Sequence, residues 1–111
     1  MSSGAAVTPA LALDYLRELS ADIRTGVVLD AGGALLAGPE ALAEPARDLF
    51  AGAGEAPEMQ IVTRDGDVFA ARSDRHRIAV VTGRFALPSL IRYDLKLVLA
   101  DLEGAARPEG P

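Results

Sequence analysis

Between Met59 and Thr82, β-branched and aromatic residues come in blocks separated by turn chemistry, which predicts three short strands: Met59–Arg64, Asp67–Arg72 and Ile78–Thr82. Asp65-Gly66 stands between the first two, and a glycine there supplies the positive φ that a tight hairpin needs. Ser73-Asp74-Arg75-His76 closes the second hairpin. Ile78-Ala79-Val80-Val81-Thr82 is apolar or small on both alternating faces, the pattern of a central strand covered on two sides. A sheet covered on two sides needs helices, and the flanking sequence has helical periodicity.

Ala12, Leu16, Leu19 and Ile23 share one stripe, with Tyr15 beside it, so a helix is predicted over Pro9–Ile23, capped by Thr8 and opened by Pro9. Thr25–Asp30 and Ala34–Ala37 read as a hairpin joined through Ala31-Gly32-Gly33. Gly38-Pro39-Glu40 opens a second helix with Leu42, Ala46, Leu49, Phe50 and Ala53 on one face. Pro45 must either kink it or sit in the first turn of a restarted helix. After a short connection at Gly83–Pro88, Ile91, Leu95, Val98 and Leu102 mark a third helix over Pro88–Leu102. The predicted order is α-β-β-α-β-β-β-α, an α+β domain over residues 9–103 between flexible tails at 1–8 and 104–111.

A chain of 111 residues buries about 65% of its unfolded surface on folding and needs no covalent staple. The absence of cysteine removes disulfides, thiolate nucleophiles and thiolate metal sites together. Residues 1–13 lack the basic start of a secretory leader and the ~20 apolar residues of a membrane span, so no span and a cytoplasmic location are expected. The formal charge is −5, with nine acids against three arginines in residues 1–60 and eight bases against seven acids thereafter. That balance argues against general nucleic-acid binding, which relies on a basic surface.

Chemistry-bearing residues are sparse. His76 is the only histidine, so a metal site would need carboxylates for its other ligands, and a turn histidine is expected to be exposed. Ser73, Asp74 and His76 are too close in sequence to align as a nucleophilic triad, and Asp30 and Asp94 have no evident partner for acid–base work. Asp65-Gly66-Asp67 lacks the remaining oxygen ligands of a calcium loop. Gly32-Gly33 lacks the lysine of a phosphate loop and reads as a plain turn. No catalytic residue, cofactor or metal is expected. The cluster Arg64, Arg72, Arg75, Arg77 and Arg84 is the most basic part of the chain; its bland reading is solvated strand ends. Its sharper reading is a docking patch for an acidic partner surface, carried by Arg64, Arg72, Arg75 and Arg77.

Taken together, Tyr15-Leu16-Arg17-Glu18-Leu19, Thr25–Asp30, Gly33–Ala37, the alanine-rich helix, the Asp65-Gly66 hairpin and the closing Leu90–Leu102 helix resemble the roadblock / dynein light chain family. The resemblance covers residues 9–103. It implies a profilin-like, five-stranded antiparallel sheet with the second helix on one face and the first and third on the other. It further implies a homodimer in which second helices pack and third strands pair edge to edge. Carried onto this chain, that interface is Leu42, Ala46, Leu49 and Phe50 on the helix and Met59, Gln60, Ile61 and Val62 within Glu58–Thr63. Bacterial members resemble non-enzymatic companions of Ras-like small GTPases in polarity, motility or signalling modules, and eukaryotic ones serve dynein and lysosomal scaffolds. The expected function is therefore a homodimeric adaptor binding a small GTPase or signalling partner. The alternative is a small-ligand sensor, which needs a pocket with converging polar groups.

Overall fold

The computed structural model describes residues 7–106, so most of both expected tails lies outside the described residues. The chain forms α1 (Pro9–Leu19), β1 (Ile23–Asp30), β2 (Leu35–Ala37), a 3-10 turn (Glu40–Leu42), α2 (Ala43–Gly52), β3 (Glu58–Val62), β4 (Asp67–Arg72), β5 (His76–Thr82) and α3 (Pro88–Ala106). The five strands make one antiparallel sheet in the order β2-β1-β5-β4-β3. This is the α+β, profilin-like arrangement expected from the sequence.

Two apolar layers hold it. Ala12 and Leu16 of α1 and Ile91, Leu95, Val98 and Leu102 of α3 pack on Val28, Phe69, Ile78 and Val80 of the sheet. On the other face, Ala46 and Phe50 of α2 pack on Val27, Leu29, Ala70 and Ala79. The three alanines in that second layer are small enough to let α2 lie close to the sheet. Parity along β4 and β5 explains the sorting, because successive side chains point to opposite faces.

Several boundaries depart from the sequence reading. α1 stops at Leu19, not Ile23, because Ser20 is extended (φ −139°) and its hydroxyl accepts from the Asp22 amide. Ile23 thereby opens β1 and leaves the helical stripe. Leu19 and Tyr15 remain exposed, while Ala12 and Leu16 carry the burial. Pro45 falls in the first turn of α2, where its missing N–H would have had no intrahelical acceptor, so the restart is realised instead of a mid-helix kink. α3 runs through Gly104 to Ala106, into the stretch expected as a tail.

The β3–β4 turn is also displaced. Val62 pairs with Asp67, and the Thr63 amide donates to the Gly66 carbonyl at 2.9 Å, so Arg64 and Asp65 are its central residues. Gly66 (φ +156°) closes it instead of sitting at its tip. A Cβ there would stand 2.1 Å from the Thr82 carbonyl oxygen, so glycine is required by close passage over β5.

Candidate functional site

α2 crosses the middle of one sheet face and leaves two depressions along its flanks. On one flank lies a groove of about 220 Å³, lined almost entirely by apolar atoms from Leu42, Pro45, Leu49, Ile61, Val68 and Val81. Its outer wall is β3, the terminal strand of the sheet, paired on one side with β4 among the described residues.

The direction of the free backbone groups follows from the ladder. Thr63 is bonded to Gly66 and the Arg72 amide to the Pro57 carbonyl, so the odd-numbered residues of β3 turn inward to β4. Glu58, Gln60 and Val62 therefore aim their N–H and C=O groups at the open edge. Such an edge is a template for pairing with another strand. Val62 and Ile61 are 73% and 41% exposed, which places bare apolar side chains beside those donors and acceptors.

The residues expected at a dimer interface divide accordingly. Leu42, Ala46, Leu49 and Ile61 meet in the groove. Met59 is partly buried and packs with the layer beneath α2. Ala46 and Phe50 are 6% and 7% exposed and point at their own sheet, forming the underside of α2 and not its outer surface. The outer surface of α2 is polar, with Glu44, Arg47 and Asp48 exposed. Gln60 and Val62 face the opposite side of the sheet: the Gln60 side chain donates to Asp67 at 3.0 Å and accepts from Arg92 at 2.9 Å. Nearby, Lys96 pairs with Glu58 at 2.9 Å, tying α3 to the edge strand.

The four arginines expected as one docking patch are not together. Arg64 occupies the β3–β4 turn and Arg75 the β4–β5 turn, at opposite ends of β4. Arg72 and Arg77 are directly opposite one another across β4 and β5. Arg72 lies 5.4 Å over the Phe50 ring and donates to the Phe50 carbonyl at 3.2 Å, while Arg77 donates to the carbonyls of Ser73 and His76 at 2.6 and 3.0 Å. Arg72, Arg75 and Arg77 thus share one end of β4, and Arg64 lies at the other.

His76 departs furthest from the exposed turn position expected for it. It is 8% exposed on β5, not free in a turn, and its Nδ1 lies 3.0 Å from Glu103 of α3. The same Glu103 oxygen accepts from the Ser73 hydroxyl and from the Arg75 amide at 2.7 Å. Burial alone would raise the Glu103 carboxyl, but these hydrogen bonds and the His76 charge outweigh it and hold its pKa at about 2. A nucleophilic triad needs the histidine between serine and carboxylate; here both contact the carboxylate, which makes the cluster a clasp. Asp30 is likewise occupied, accepting from the Gly32 and Ala34 amides at 2.9 Å each, and Asp94 is buried on α3. Among the described residues no group of three or more histidine and carboxylate side chains is placed to hold a metal, and no helix is long and apolar enough to cross a membrane.

No family profile and no curated protein sequence matches the chain. Solved structures do. Myxococcus xanthus MglB superposes with a TM-score of 0.70 at 14% identity, over 99% of this chain and 98% of its own. The roadblock/LC7 domain from Streptomyces avermitilis gives 0.67 at 13% identity, over 86% of this chain and 94% of its own. The chain has the roadblock/LC7 fold. Profilin II of Acanthamoeba castellanii superposes with a TM-score of 0.61 at 11% identity, over 90% of this chain and all of its own, so the layering is shared with profilin.

Proposed function

We propose that this roadblock-fold chain is a non-enzymatic homodimeric adaptor that binds and regulates a Ras-like small GTPase or another signalling partner, in the cytoplasm. The observation that carries the reading is the open β3 edge beside the apolar groove under Leu42, Leu49 and Ile61. A second copy related by two-fold symmetry matches both features at once, because an antiparallel strand pair is self-complementary and so is an apolar flank. In that dimer the two edge strands join through Glu58, Gln60 and Val62. Leu42, Pro45 and Leu49 of each α2 close over the groove, with Ala46, Phe50 and Met59 supporting them from below.

The likeness to MglB and to other roadblock domains supports the adaptor role, and the family resemblance drawn from the sequence supports the GTPase as partner. The occupied states of Asp30 and of the Ser73–His76–Glu103 clasp support a binding role over a catalytic one. Affinity capture by the tagged chain from its own host, with a GTP analogue or GDP added, tests the partner. The expected result is a small GTPase retained preferentially with one nucleotide. Recovery of no GTPase under either condition would contradict that half of the proposal.

A further inference from the structure

The flank of α2 opposite the groove holds a second depression of different chemistry, an open hollow of about 260 Å³. Three arginines are among its lining residues, each from a different element: Arg47 from α2, Arg72 from β4 and Arg77 from β5. No acidic residue is among its lining residues. Among the described residues none of the three arginines makes a salt bridge.

That arrangement is unfavourable as it stands. Arg72 and Arg77 are directly opposed across an antiparallel pair, where like charges repel. Each arginine is held by neutral carbonyls: Arg47 by Gly33 at 2.8 Å, Arg72 by Phe50, and Arg77 by Ser73 and His76. Those contacts occupy one terminal nitrogen on each guanidinium and leave further N–H donors, since each group carries five. The Nε of Arg72 is sealed from solvent, so any contact that Arg72 makes in the hollow falls to its terminal nitrogens. Stacking of Arg72 on Phe50 near the end of α2 accounts for that arginine alone. It does not account for the other two converging on the same hollow.

The glycine pair belongs to this site in an unexpected way. Its amides are engaged within the turn, Gly32 donating to the Asp30 side chain and Gly33 to the Asp30 carbonyl, so it is not a phosphate cradle. Gly33 (φ +94°) instead makes room: a Cβ there would stand 3.1 Å from Cδ of Arg47. The turn therefore lets the Arg47 stem lie against it at the rim of the hollow.

We propose that the hollow binds the phosphoryl group of a small molecule, held by Arg47, Arg72 and Arg77. Three forks arriving from three elements suit a tetrahedral dianion, whose oxygens face several directions; a planar carboxylate is saturated by one bidentate fork. The volume is below the roughly 300–1,000 Å³ of sites that enclose a drug-sized molecule, so the phosphoryl group enters and the remainder of the ligand stays outside. The site lies on the flank of α2 away from the proposed dimer groove, so its occupancy does not depend on dimerisation. It supplies the converging polar groups that the ligand-sensor alternative requires.

The test is a titration of the isotope-labelled full chain with inorganic phosphate at constant ionic strength, followed by NMR, with acetate and chloride in parallel. Saturable shifts are expected at the Gly32 and Gly33 amides and the Nε–H groups of Arg47 and Arg77. Arg47→Gln and Arg77→Gln should each weaken phosphate binding at least tenfold; Arg47 is exposed, so its variant keeps the fold even if the other does not. Shifts that chloride reproduces, or phosphate binding unchanged in Arg47→Gln, would overturn the site. Acetate binding as tightly as phosphate would overturn the phosphoryl assignment. A phosphoserine peptide binding tenfold more tightly than both inorganic phosphate and a nucleoside monophosphate would overturn the small-molecule assignment.

Discussion

His76 Nδ1 on β5 stands 3.0 Å from Glu103 Oε2 near the end of α3, joining residues 27 positions apart. With the Ser73 hydroxyl and the Arg75 amide on the same oxygen, this contact fastens the end of α3 to the β4–β5 turn. Because the folded pKa of Glu103, about 2, is below its ordinary 4.5, the unfolded chain binds more protons between those values. Its contribution is therefore complete above about pH 5 and is lost as pH falls through about 2. Glu103→Ala should cost roughly 1–3 kcal/mol in urea unfolding at neutral pH. Glu103→Gln should flatten the acid limb of stability against pH.

Asp94 should behave in the opposite sense. Burial pushes its carboxyl above 3.8, so the folded state binds more protons than the unfolded one just above that value. Stability associated with Asp94 should thus fall as pH rises through that window. Asp94→Asn should raise the urea midpoint at pH 7 and leave it unchanged at pH 3, measured on the same chain.

The β3–β4 turn offers a steric test. Gly66→Ala places a methyl against the Thr82 carbonyl in a backbone conformation that disfavours side chains. A loss of more than about 2 kcal/mol in chemical denaturation is expected. Asp65→Ala, one residue earlier and exposed, should change stability by less than about 0.5 kcal/mol.

These cases mark what the sequence could and could not reveal. Period-2 and period-3.6 patterning exposed all eight major elements and their order, because burial of one helix stripe or strand face is written into nearby residues. Pro45 even restricted α2 to two options, one of which is observed. Boundaries set by local competition were harder: Ser20 ended α1 early, and the turn centre moved one residue from Asp65-Gly66 to Arg64-Asp65. Contacts over long separations were invisible. Nothing in the spacing links His76 to Glu103, or brings Arg47 beside Arg72 and Arg77, until the strand order and the path of α2 are known.

The free rim of β3 is where a second copy would pair. Light scattering of the full chain at micromolar concentration, beside its Val62→Pro variant, tests that pairing most directly. Val62 aims its N–H outward, so proline there removes an edge donor and spares the ladder to β4. The expected mass is about 23 kDa, twice the 11.5 kDa of one chain, falling to about 11.5 kDa in a variant that stays folded by circular dichroism. A parent chain of about 11.5 kDa, or a variant that remains at about 23 kDa, would contradict it.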